Sequence, residues 1–362
     1  GLGTWNPNLG RAVKLGLAVF GRRLGPRPAA LIGGVLGTLP DLDVLYPFDD
    51  PVDAFVLHRG PTHSLFLQAA LTPLLGEALV RTIAALRSER AIAYLGVYLC
   101  FATHALLDAL TVYGTRIFWP FWPEPVGVGS IFIIDPLYTV PLLVVIVWAV
   151  CLSAWTPRLA RALTIALVGS SGYLVWGLVA QQIAEARAGA LLERAGIVPE
   201  RLLATPTPFN SLLWRAIAID GERYFNVYLP VAGAADQATV YEHPRGPAAA
   251  CITRIEAADR LNRFSRGFWR TDLEGNTLVV ADLRMGLTPS YVFRFAVGTR
   301  ENGSIVPIRP QRVRGERSAE GDLDWLLAGL LGGAPVRSAE AEALVESVPL
   351  PSSTARPASS LC

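Results

Sequence analysis

Three of the four histidines in this chain fall between residues 58 and 104, interleaved with acids. The segments read LPDLDVLYP at 39–47, HRGPTHS at 58–64 and THALLDALTVYGT at 103–115. His104 and Asp108 stand four apart in an apolar run, so a helix puts both on one face. His58 and His63 bracket Arg59 and Gly60 in a loop that enters a helix, with Thr62 placed to cap it. Asp41 and Asp43 follow Pro40, and in an extended strand both carboxylates would face the same side. Each piece alone also reads as ordinary structure: a carboxylate orienting a core histidine, a polar loop, a helix cap. Together, imidazoles and carboxylates suit zinc, manganese or iron. Carboxylates beyond four ligands would orient the others or hold a second ion. The expected metal ligands are Asp41, His58, His63, His104 and Asp108.

Asp43, Arg59 and Asp135 are the expected catalytic residues. Asp43 would act as base and Arg59 would steady developing negative charge. Asp135, in Ile-Asp-Pro, reads equally as a ligand or as the cap of a helix begun by Pro136. Trp119, Phe121 and Trp122 read as an interfacial aromatic belt. His243, in Glu-His-Pro, reads as a surface turn. There is neither a Gly-rich phosphate loop nor a GxSxG motif.

The elements that must position these residues are apolar. Hydrophobic residues make up 52% of the 362 and charged residues 17%, against about 25% charged in a soluble domain. Mean hydropathy is +0.38. An integral membrane protein follows. Four stretches reach the roughly 20 residues a span needs: 64–86, 91–112, 131–152 and 160–180. Two shorter runs, 12–20 and 28–39, read as a tilted or re-entrant hairpin. The expected fold is an α-helical membrane domain over 1–184 with about four to six membrane helices. A small β-rich (α+β) extramembrane domain follows over 185–348, then a disordered tail over 349–362. Within the β-rich part, Asp220-Gly221 marks a hairpin between 212–219 and 223–229. A second strand pair is expected over 277–283 and 291–297, and a short helix over 188–203.

Arg87, Arg90, Arg158 and Arg161 cluster in turns on one face, the side expected to be cytoplasmic. The acidic loops and the C-terminal domain then lie outside. A net charge of +2 is too even for a nucleic-acid binder. The four cysteines are far apart, with no CxxC pair, so neither a disulfide framework nor a zinc finger is expected. The chain opens at Gly1 rather than Met, so a preceding N-terminal segment is expected, and no signal peptide is read.

PDLD, HRGPTHS and THALLDALTVYGT resemble the bacterial inner-membrane family described as membrane-bound metal-dependent hydrolases, one member of which is LexA-regulated. The likeness continues through IFIIDPLYTVPLL at 131–143. It extends into TPTPFNSLLWR at 205–215 and VADLRMG at 280–286, which resemble longer members with a C-terminal domain. HRGPTHS is similar, less closely, to the zinc-dependent phospholipase C fold. WNPNLGRAVK at 5–14 departs from the polar Asp/Thr-His or Thr-Gln opening usual in the family, so the resemblance implies that an N-terminal ligand is lost or truncated here. The resemblance implies a multi-pass inner-membrane hydrolase. Added to the residue reading, the expected activity is cleavage of an ester or phosphoester of a membrane lipid or lipid-linked substrate through water activated by a divalent metal, zinc first. The alternative is a non-enzymatic metal-binding membrane protein: a transporter, a sensor, or a fold stapled by its metal.

Overall fold

The computed structural model describes residues 7–233, 237–315, 318–333 and 336–347. The chain divides into two compact units. One comprises Gly1–Tyr46, Arg59–Leu178 and Pro208–Asn210; the other comprises Pro47–His58, Val179–Thr207 and Ser211–Cys362.

The first unit is helical. It opens with α1 (Pro7–Leu24) and α2 (Pro26–Thr38), followed by a 3-10 turn over Pro40–Leu45. Helix α3 (Pro51–Leu57) belongs to the other unit. Helices α4 (Leu65–Thr82), α5 (Arg90–Leu110), α6 (Pro136–Cys151) and the start of α7 (Pro157–Arg194) complete the first. Pro opens α2 and α6, where its missing N–H costs nothing. Helices α1 and α2 meet at glycines: a Cβ on Gly33 would sit 2.5 Å from the Ala12 carbonyl oxygen. Val13, Leu17 and Phe20 of α1 pack with Ala29, Ala93, Val145 and Leu163 in one buried core.

Among the described residues, two helices are long and apolar enough to cross a membrane, α5 and α7. Only 22% of the most apolar window of α7 is buried, against 56% for α5. Exposed Ile165, Val168 and Val175 along α7 are costly in water and at home against lipid. Of the other two expected spans, 64–86 becomes α4 with Glu77 and Arg81 near its end, and 131–152 becomes α6, of 16 residues.

The second unit is β-rich. Strands β1 (Arg201–Pro206), β2 (Leu213–Asp220), β3 (Arg223–Pro230) and β4 (Thr239–Pro244) form an antiparallel sheet in that order. The Asp220-Gly221 hairpin is present, with Asp220 opposite Arg223 and Gly221 at φ 56. After α8 (Glu256–Phe264) come β5 (Trp269–Glu274), β6 (Thr277–Asp282), the short β7 (Gly286–Leu287) and β8 (Ser290–Tyr291), β9 (Arg294–Glu301) and β10 (Ser304–Val313). The second four-stranded sheet runs β10-β9-β6-β5. Helices α9 (Asp322–Leu330) and α10 (Ser338–Ser347) close the described part.

Three local expectations are corrected. No separate helix fills 188–203, because α7 continues to Arg194 and β1 begins at Arg201. His243 is not a surface turn: it lies in β4, 1% exposed, with Nε2 2.9 Å from Glu340 Oε1. Cys251 is disulfide-bonded, whereas Cys100 and Cys151 are free. The expected tail over 349–362 lies outside the described residues.

Candidate metal centre

The LPDLD segment is a 3-10 turn rather than a strand. At three residues per turn, Asp41 and Asp43 leave it in different directions, and they have different partners. Asp43 Oδ2 accepts the Arg59 backbone N–H at 2.9 Å and the Thr62 hydroxyl at 3.1 Å. Thr62 Oγ1 lies 3.0 Å from His63 Nδ1. Asp43 and Thr62 therefore hold the outer nitrogen of His63 and fix how the ring is aimed. Thr62 does not cap the next helix; Ser64 does, accepting from the Leu67 N–H.

His63 aims its other nitrogen inward. Nε2 of His63 lies 3.4 Å from Asp41 Oδ1 and 3.2 Å from Asp108 Oδ2. Nε2 of His104 lies 3.3 Å from Asp41 Oδ1 and 3.5 Å from Asp108 Oδ2. One ligand atom from each of Asp41, His63, His104 and Asp108 falls within 4.8 Å of every other. A tetrahedral zinc site with arms of about 2.0–2.1 Å has ligand–ligand edges of about 3.3–3.4 Å. Four of the six edges here match that spacing. Nδ1 and Nε2 of His104 are buried without a hydrogen bond, as suits a ring turned toward a cation. His63 and His104 are fully buried, Asp108 is 1% exposed, and the Asp41 side chain is 27% exposed. The cluster thus has a covered floor and one carboxylate at its rim.

Arg59 supports the floor. Its Nη2 lies 3.1 Å from Asp108 Oδ1, and its Nη1 donates to Thr111 Oγ1 at 3.1 Å. One oxygen of Asp108 therefore faces Arg59 while the other faces the histidines. Arg59 holds a left-handed backbone, φ 58, which costs a non-glycine residue on the order of 1–3 kcal/mol. Its N–H on Asp43 and its carbonyl, taken by the Arg116 N–H at 3.0 Å, keep it there. Burial pushes the Asp41 carboxyl up, but the His104 and His63 imidazoles beside it outweigh that and hold the group below the usual carboxylate range.

Two further expected residues are not among the four. His58 is half-buried, closes α3 and is not among the converging ligands. Asp135 caps α6, accepting from the N–H groups of Leu137 and Tyr138, and takes the Tyr173 hydroxyl at 2.7 Å. Thr111 was not expected at the site. Its signal was the THALLDALT spacing, which sets it one turn after Asp108.

Asp43 offers a test of this layering. Asp43→Ala is expected to weaken metal binding about 10- to 100-fold while metal still binds. Asp43→Asn should lose far less, because both donors converge on a single oxygen that an amide can supply. Competition titration against a chromogenic chelator measures both; equal losses would contradict the arrangement.

Residues 9–184 match the family model described as YdjM inner membrane protein. The matched stretch contains all four converging residues and stops short of the β-rich strands. No curated protein and no solved structure matches the chain.

Proposed function

We propose that this chain is an inner-membrane metal-dependent hydrolase that cleaves an ester or phosphoester of a lipid or lipid-linked substrate. The observation that carries the reading is the convergence of Asp41, His63, His104 and Asp108 with edges suited to a tetrahedral divalent ion. Two carboxylates and two neutral imidazoles match zinc in charge and ligand type. A divalent ion held by these four residues would lower the pKa of a bound water towards about 7 and would polarise the oxygen of the scissile group. Asp41, at the rim, marks the side from which substrate approaches. Arg59 holds Asp108 in place, and Asp43 aims His63, so both are positioning residues. Asp135 fixes the start of α6.

The membrane side of the reading rests on the matched family's description, on α5 and α7, and on where the ligands sit. His104 and Asp108 lie in the last two turns of α5. If α5 spans, the cluster stands at one membrane face, within reach of a lipid headgroup. Multi-pass insertion with the β-rich unit outside the cytoplasm completes the proposal. The arginine-rich turns at 87–90 and 158–161 support it, as does bonded Cys251, since disulfides persist in oxidising compartments.

Two experiments test this reading. Purified protein in lipid nanodiscs should release product from labelled phospholipids, stop with a chelator and resume on adding zinc. No turnover across ester and phosphoester lipids, together with metal uptake into proteoliposomes, would favour a transporter. A reporter active only in the cytoplasm, fused after residue 333, should stay silent; a strong signal would reverse the topology.

A further inference from the structure

The helical unit also carries a buried lysine beside a half-buried arginine, neither of which the metal centre uses. Lys14 is fully buried in α1, and its ammonium has no hydrogen-bond partner. Arg11 stands one turn earlier, on the same stripe of the helix. Its guanidinium reaches the Tyr138 hydroxyl of α6 at 3.4 Å and Ser171 Oγ of α7 at 3.3 Å, while its Nε is buried without a partner. Neither cation has an ion pair among the described residues, and the two repel each other.

This arrangement is unusual for a fold alone. A buried charge is normally paired, and a like-charged pair at this helical spacing is unfavourable. Basic side chains inside a membrane-type helix bundle mark a functional site by default. The partners that are present fit an anion better than a metal. A guanidinium, an ammonium and two hydroxyls can donate hydrogen bonds, and among the described residues neither cation has a carboxylate partner. Arg11 is half-buried, which leaves a route in from the surface, and its flat fork suits a tetrahedral oxyanion with several acceptor oxygens.

We propose that Arg11 and Lys14, with Tyr138 and Ser171, form a second binding site that takes a phosphate group, whether free or on a lipid headgroup. This site shares no residue with the His/Asp cluster and does not depend on the hydrolase reading. Metal-free protein should bind phosphate at this place as well as the loaded form does.

The test uses the full chain in nanodiscs, stripped of metal with a chelator. In discs of phosphatidylcholine alone, inorganic phosphate should raise the thermal midpoint in a saturable way, and chloride at matched ionic strength should not. If an anionic headgroup is the source, phosphatidylglycerol discs should give the shift without added phosphate. Lys14→Met should weaken the response about tenfold or more, while Arg22→Gln, exposed on the same helix, should leave it unchanged. If Lys14→Met does not fold, Tyr138→Phe removes only a hydroxyl and should weaken binding severalfold. No shift with phosphate or phosphatidylglycerol overturns the proposal. So does an unchanged response in Lys14→Met or, where that variant fails to fold, in Tyr138→Phe.

Discussion

His104→Ala should leave a protein that inserts and folds but carries metal only at background level. The helix around His104 needs no polar side chain to form, and Ala is the better helix former. His104 supplies one of four ligand atoms, with Nε2 3.3 Å from Asp41 Oδ1 and 3.5 Å from Asp108 Oδ2. Without it the two carboxylates lose a shared partner, and a three-ligand remnant holds a divalent ion poorly. His58→Ala is the matched comparison, because His58 closes α3 and is not one of the converging residues; it should keep its metal. Elemental analysis of both purified variants decides between them. Full metal in His104→Ala would make His104 a packing residue. Loss of metal in His58→Ala would return His58 to the ligand set.

Glu340→Ala should produce the largest loss of stability in the β-rich unit. Glu340 is fully buried in α10. It accepts from the Tyr228 hydroxyl at 2.6 Å and from Asn226, and lies 2.9 Å from His243 and 3.6 Å from Arg337. Removing it leaves those groups buried around nothing, at a cost of about 3–5 kcal/mol. Denaturant unfolding of the full chain, followed by tryptophan emission, should show the β-rich transition at lower denaturant. Glu340→Gln should lose less, since it keeps the shape and one acceptor.

The same carboxylate gives a pH dependence. Burial pushes the Glu340 carboxyl up, but hydrogen bonds from His243, Tyr228 and Asn226 outweigh it and hold it below its ordinary 4.5. A depressed carboxylate contributes its full stability above the ordinary value and loses it as pH falls through the folded one. The β-rich unit should therefore weaken in acid below pH 4.5, and Glu340→Gln should flatten that part of the profile. An unchanged acid limb would contradict the role given to Glu340.

Local patterns foretold what local physics decides. The four-residue spacing of His104 and Asp108 put both on one helix face, and the structure brings them together with Asp41 and His63. The Asp-Gly hairpin followed from turn chemistry. What escaped depended on partners far along the chain. His243 looked like a turn residue because Pro244 follows it, but its partner Glu340 lies 97 positions away. The reading of Asp41 and Asp43 as one face assumed an extended strand, and the 3-10 turn after Pro40 split them into a site carboxylate and a support for His63. The helix expected over 188–203 failed because α7 does not stop at the membrane-length boundary. The bond at Cys251 left no signature in cysteine spacing. Arg11 and Lys14 gave no signal either, since a cation placed inside a bundle without an ion pair is visible only once the helices pack.

Zinc-edge X-ray absorption on protein purified from membranes without added metal, paired with elemental analysis, tests the central claim most directly. The account predicts stoichiometric divalent metal bound by nitrogen and oxygen at about 2.0–2.1 Å, with the imidazole signal reduced in His63→Ala and lost metal in His104→Ala. Protein with no metal above trace, or metal whose imidazole signal is untouched by either variant, would contradict it.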